Sequence, residues 1–262
     1  MSGVQLSLVD FFAFESPFAT EFRRLLVNLK QHSKKGELKS ILITSSTLSE
    51  GKSTICSFLG MTAAKKGLKT LLIDCDLRRP TLHKNFVLAR DLGLVEILSE
   101  GAAVKSTIKK TGLDKLDIIT AGKATAHPAD IFDAKALSSL IAEMKFYYDL
   151  ILVDCAPVLP VSDPMLLAQE VDGVLMVVKA GETQRDLTKR ATEILNSSGG
   201  AIVGVVMNNM NDSLPAYYSY SHYDYYSSAE EEKPRRNKGN APPQRKLPVS
   251  IEEMPKRNTI PR

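Results

Sequence analysis

Residues Ser46 to Thr54 read Ser-Thr-Leu-Ser-Glu-Gly-Lys-Ser-Thr, between an apolar run, Ile41-Leu42-Ile43, and a helix-compatible stretch, Ile55 to Lys66. No other segment restricts the fold as tightly. A strand, a tight turn ending Gly-Lys-Ser-Thr and a helix make a P-loop, where backbone N–H groups and the helix N-terminus hold nucleotide phosphates. In that geometry Lys52 reaches the outer phosphates as a point charge, and the Ser53 hydroxyl binds Mg²⁺. Ser49, Glu50, Gly51, Lys52, Ser53 and Thr54 are the expected phosphate-binding turn. The usual pattern opens with glycine; this chain has Ser46.

Apolar runs with strand character recur at Ser40 to Thr44, Thr70 to Asp74, Leu150 to Asp154, Gly173 to Lys179 and Ile202 to Met207, with a sixth candidate at Leu116 to Thr120. They alternate little, as strands buried on both faces do. Helical segments fall at Thr20 to Gln31, Ile55 to Lys66, Ala134 to Phe146, Pro164 to Gln169 and Thr183 to Asn196. The early helix places Phe22, Leu25, Leu26 and Leu29 on one face. Strands alternating with helices predict an α/β fold of the P-loop NTPase type, a mostly parallel sheet with helices on both faces. Ligands in such folds sit beyond the carboxyl ends of the strands, where Lys52, Asp74, Asp76 and Asp154 are expected.

The expected organisation is an irregular N-terminal arm over 1–17, a P-loop domain over 18–211, a tyrosine cluster over 212–228 and a basic, Pro-rich, disordered tail over 229–262. Six of the eight tyrosines are Tyr217, Tyr218, Tyr220, Tyr223, Tyr225 and Tyr226. They are interleaved with Ser, His and Asp, which predicts exposure. They read either as phosphate acceptors, each phosphate adding charge of roughly −1.5 to −2, or as an aromatic contact surface. From Lys233 onward nine Lys/Arg stand against two Glu, so the net +4 belongs to the tail and the first 232 residues sum to about −3. That distribution speaks against nucleic acid as a partner of the domain. Cys56, Cys75 and Cys155 lie in or beside apolar segments and read as buried, reduced thiols. Neither a secretory signal nor an apolar run of membrane-spanning length is present, so the expected location is the cytoplasm.

Two further segments carry chemistry. Leu71-Leu72-Ile73-Asp74-Cys75-Asp76 sends two carboxylates off the end of a buried strand. In an extended chain they point to one side and serve one Mg²⁺–phosphate centre, one of them accepting a proton from an attacking hydroxyl. Leu150-Ile151-Leu152-Val153-Asp154 ends in the acid of a Walker B strand. At the end of the last strand, Asn208 is either a base-edge ligand or part of a turn-forming Asn pair with Asn209.

Together, Ser45 to Thr54, Asp74-Cys75-Asp76-Leu77-Arg78-Arg79-Pro80 followed by Leu82-His83, Ile151 to Pro157, Gly122 with Pro128, and the tyrosine cluster resemble the bacterial tyrosine kinases (BY-kinases) of exopolysaccharide and capsule systems. The resemblance spans residues 16–226. It implies ATP- and Mg²⁺-dependent autophosphorylation of the tyrosine cluster between neighbouring subunits of a homo-oligomer. It implies that Lys52 holds phosphates, that Asp74 contacts the incoming tyrosine hydroxyl and can be its base, and that Ser53, Asp76 and Asp154 serve the metal. Arg78 joins the nucleotide site, and Asn208 sits where the fold recognises adenine. The implied partners are a membrane polysaccharide co-polymerase that activates the stand-alone kinase and holds it at the membrane, and a tyrosine phosphatase. The family's early helix carries a Glu-x-x-Arg-x-x-Arg pattern that builds a ring-shaped oligomer; Glu21 and Arg24 meet it but Val27 stands third, and the other register offers Thr20, Arg23 and Leu26. His127 stands where Asn is expected before Pro128. The competing expectation is a switch ATPase of the division-site or plasmid-partition type; its signature lysine is absent from Ser45 to Leu48.

Overall fold

Strand formation follows the apolar runs. The computed structural model describes residues 6–32, 38–126 and 128–209. Its strands are β1 (Ser40–Ser45), β2 (Thr70–Asp74), β3 (Ile108–Lys110), β4 (Leu116–Ile119), β5 (Leu150–Asp154), β6 (Gly173–Lys179) and β7 (Ile202–Asn208). All six expected strands are present; β3 is additional. The spatial order is β3-β4-β2-β5-β1-β6-β7. Only β3 runs antiparallel, against β4. Every residue of β1, β2, β4 and β5 is buried, which accounts for their unbroken Ile, Leu and Val. The edge strand β7 leaves Val205 and Met207 exposed.

The helices are α1 (Leu8–Phe11), α2 (Pro17–His32), α3 (Lys52–Lys65), α4 (Leu82–Asn85), α5 (Leu94–Glu100), α6 (Val104–Thr107), α7 (Pro128–Ile131), α8 (Ala134–Met144), α9 (Asp163–Ala168) and α10 (Arg185–Ser197). Two cores flank the sheet. On one face Phe22, Leu26 and Leu29 of α2 and Ile55, Phe58, Leu59 and Met61 of α3 cover Ile43, Leu72 and Leu152. On the other Leu137, Leu140 and Ile141 of α8, Leu167 of α9 and Leu195 of α10 cover Leu42, Leu71, Ile73 and Val153. Helix α3 lies buried on nearly all sides, so it carries apolar residues without a polar face.

The arm over 1–17 is not irregular throughout. Ser7 and Asp10 form a capping box around α1, each satisfying a backbone donor that the short helix leaves open. Phe12 then packs on Phe58, with ring centroids 5.8 Å apart, and Phe18 meets the same ring at 4.7 Å. Among the described residues no helix is long and apolar enough to cross a membrane. The tyrosine cluster, His127 and the tail over 229–262 lie outside the described residues.

Because β1, β2, β5, β6 and β7 are parallel, their carboxyl ends share one edge. The chain leaves β1 towards β2 on one side and later places β6 and β7 on the other. That reversal opens a crevice at the end of β1, where the P-loop lies.

Candidate active site

The turn after β1 is pinned from several directions. Val158 N–H donates to Ser45 O at 2.8 Å and Leu159 N–H to Ser46 O at 3.2 Å, joining the loop to the segment after β5. Gly51 sits at φ +95° as the N-cap of α3, and a Cβ there would overlap the Asn208 side-chain amide. Only glycine meets both demands. Ser49 also takes a left-handed conformation, φ +62°. The first turn of α3 then carries Lys52, 7% exposed, with Ser53 and Thr54 half-buried beside it.

Three carboxylates meet this turn. Asp74 and Asp154 are direct neighbours in the register of β2 and β5, and both are fully buried. Asp74 Oδ2 accepts from the backbone N–H groups of Thr81 and Leu82, both at 3.1 Å. Its Oδ1 and both oxygens of Asp154 are buried with no hydrogen-bond partner. Asp76 accepts from Arg79 N–H at 2.9 Å and is 7% exposed. Burial, then the charge of Asp154, pushes Asp74 well above the usual carboxylate range, against the weaker pull of the Leu82 and Thr81 amides. Burial pushes Asp154 up to about 7. The Ser53 hydroxyl and Lys52 ammonium offset part of that rise, and Asp76 adds to it. Ser53 thus lies close enough to favour the ionised carboxylate, although no donor meets either Asp154 oxygen in hydrogen-bonding geometry.

Buried acceptors left without donors are uncommon and costly. Three such oxygens, beside a lysine and at a helix N-terminus, fit a divalent cation with bound phosphates. Mg²⁺ keeps waters and phosphate oxygens as most of its ligands and needs only one or two carboxylates. Of the expected metal ligands, Asp154 is the one whose two oxygens are both without donors, with the Ser53 hydroxyl and the charge of Asp76 acting on it.

Three of the expected nucleotide contacts also bond within the protein. The carboxylate of Glu50, 2% exposed, turns into the protein, where it accepts from Ser46 N–H at 3.1 Å, Thr47 Oγ1 at 2.6 Å and Thr183 Oγ1 at 3.0 Å. A buried acid needs donors, and these are the nearest. Asn208 Nδ2 donates to Glu50 O at 3.0 Å, and its Oδ1 accepts from Asn209 N–H at 2.9 Å, so the amide braces the P-loop. Arg78 Nε pairs with the buried Asp163 Oδ2 at 3.3 Å. Thr183 and Asp163 escaped the sequence reading, because nothing local marks either one. Gly122, at φ +89°, fits against Glu96, whose carboxylate accepts from Gly93 and Lys123 N–H groups. Burial pushes the thiols of Cys56, Cys75 and Cys155 up, which keeps them protonated and unreactive.

On α2, Glu21 and Arg24 form an exposed ion pair at 2.8 Å, and Val27 beside them is 53% exposed. In the other register Leu26 is buried and Arg23 bonds Thr20 and Glu15. The outward-facing register is therefore Glu21, Arg24 and Val27.

The sequence model of a family described as AAA domain matches residues 39–186, more than half the chain. A tyrosine-protein kinase of Bacillus subtilis, YwqD, is 30% identical over 219 residues, covering 84% of this chain and 92% of the relative. The kinase domain of the Escherichia coli tyrosine kinase ETK superposes with a TM-score of 0.74 at 26% identity, over 78% of this chain and 80% of that one. The solved chimaeric protein CapA2B2 matches at 30% identity and a TM-score of 0.71, over 76% and 88%. Kinship at this coverage, on a sheet whose P-loop faces paired aspartates from two adjacent strands, makes this chain a protein-tyrosine kinase of the BY-kinase family.

Proposed function

We propose that the chain transfers the γ-phosphoryl group of ATP to the tyrosines of its own C-terminal cluster, Tyr217, Tyr218, Tyr220, Tyr223, Tyr225 and Tyr226, from one subunit to the next. The observation that carries this reading is the buried carboxylate pair of Asp74 and Asp154, three of whose four oxygens have no hydrogen-bond donor, with Lys52 and Ser53 acting on Asp154. The loop from Ser49 to Thr54 holds the phosphates through backbone N–H groups, with Lys52 on the outer ones. Ser53, Asp76 and Asp154 would hold Mg²⁺, which would supply positive charge to offset that developing on the phosphates during transfer. Asp74 is the base: its raised affinity for a proton suits it to accept one from the tyrosine hydroxyl as the oxygen bonds to phosphorus and ADP leaves. Arg78, held by Asp163, lines the same edge, and Asn208 supports the nucleotide by bracing the loop.

The kinase acts in the cytoplasm in exopolysaccharide or capsule polymerisation and export. A membrane co-polymerase activates it and brings it to the membrane, and a tyrosine phosphatase reverses the modification. The switch-ATPase reading requires a lysine within Ser45 to Leu48, and the chain has none. Mixing two variants tests transfer between chains. Lys52→Met keeps its tyrosines, and the variant with all six cluster tyrosines changed to Phe keeps its catalytic site. With Mg²⁺ and ATP, and with the activator's cytoplasmic segment in a parallel set, phosphotyrosine is expected on the Lys52→Met chain only when both are present. ATP hydrolysis without phosphotyrosine in any mixture would favour the switch ATPase.

A further inference from the structure

We infer that Thr183 is a positioning residue for phosphoryl transfer, acting through Glu50; the inference rests on the P-loop being the nucleotide site. Thr183 lies in the connection from β6 to α10, far from the P-loop in sequence and outside every motif. Its hydroxyl accepts from Lys179 N–H at 2.9 Å and donates to Glu50 Oε1 at 3.0 Å. Its own N–H donates to Lys179 O at 2.9 Å. The amide of Lys179 occupies a lone pair of the hydroxyl, which leaves its proton for the carboxylate.

Glu50 is where three segments meet. Its side chain closes the P-loop on itself through Ser46 and Thr47 and joins it to β6 through Thr183. Its backbone carbonyl takes the Asn208 amide from the end of β7. Gly51 and Lys52 follow at once. A change in the orientation of residue 50 therefore moves both the left-handed glycine and the lysine that must meet the phosphates. Misplacement by about 1 Å costs reaction rates on the order of 100-fold. Removing the Thr183 donor leaves a nearly inaccessible carboxylate short of one hydrogen bond, and the loop can recover it only by moving.

Thr183 is half-buried, so its substitution leaves the cores intact. The test compares Thr183→Val, which keeps the shape without the hydroxyl, with Thr183→Ser, which keeps the hydroxyl without the methyl. Wild type and Lys52→Met serve as references in an autophosphorylation assay over a range of ATP concentrations, with a thermal melt of each protein. Thr183→Val is expected to lower kcat at least about tenfold, with a smaller change in the KM for ATP and a Tm lowered by only a few degrees, since Glu50 and the Lys179 N–H each lose a partner. Thr183→Ser is expected to restore most of the rate. The inference is overturned if Thr183→Val keeps kcat within twofold of wild type. It is equally overturned if Thr183→Ser is as slow as Thr183→Val, or if activity falls only in step with Tm. Failure of the underlying reading looks different: Lys52→Met would then be as active as wild type.

Discussion

Asp154 holds two buried oxygens without donors beside the buried Asp74, an arrangement that opposes folding once the carboxylate is charged. An aspartate in the unfolded chain titrates at about 4, whereas Asp154 in the folded protein titrates at about 7. The folded state thus binds the proton more tightly. Its contribution to stability is fully present below about pH 4 and is lost as pH rises towards about 7. Asp154→Asn is therefore predicted to melt higher than wild type in the absence of nucleotide and metal. The difference should grow from pH 5 to pH 8 in thermal melts, while phosphotransfer is lost. Equal melting of the two proteins across that range would contradict the account. Gly51→Ala should fail both at the backbone, φ +95°, and against Asn208; nucleotide titration is expected to show binding weakened at least about tenfold. At this scale the motif residues were legible, since strand ends carry their aspartates wherever the sheet places them. The uses of Glu50, Asn208 and Arg78 were not, because each is fixed by a partner distant in sequence: Thr183, the Glu50 carbonyl and Asp163.

The elements were legible where burial writes an apolar run. The six expected strands formed because they are interior to the sheet or pack helices against it. The strand β3 has three residues, two of them lysine, and owes its conformation to pairing with β4 and not to its own pattern. Helix α5 begins at a turn fixed by Glu96 reaching back to Gly93 N–H, a cap that the sequence offers without announcing. Helix α2 and the arm before it converge on one ring, Phe58 of α3, touched by Phe12, Phe18 and Phe22. Phe58→Ala is predicted to destabilise the domain by about 3–5 kcal/mol, read from urea unfolding. A loss under ~1 kcal/mol would mean that the arm and α2 do not depend on this cluster. On the opposite side of α2, Val27→Arg should change stability by less than about 0.5 kcal/mol. By completing the Glu21–Arg24 pattern, it should also raise the oligomeric fraction in light scattering; an unchanged mass distribution would remove this face from the contact between copies.

Across the whole molecule, a seven-stranded sheet brings three acids and a lysine, drawn from three separate segments, to one edge. The clustered tyrosines begin nine residues after Asn208, the last residue of β7. Tyrosine phosphorylation is the chemistry that this edge is proposed to perform. Its most direct measurement is phosphosite mapping by mass spectrometry on the purified protein with Mg²⁺ and ATP, beside Lys52→Met and with the activator's cytoplasmic segment in one set. The account predicts phosphotyrosine within Tyr217 to Tyr226 in the wild type and none in Lys52→Met. ATP turnover with no phosphotyrosine, with or without the activator, would contradict it.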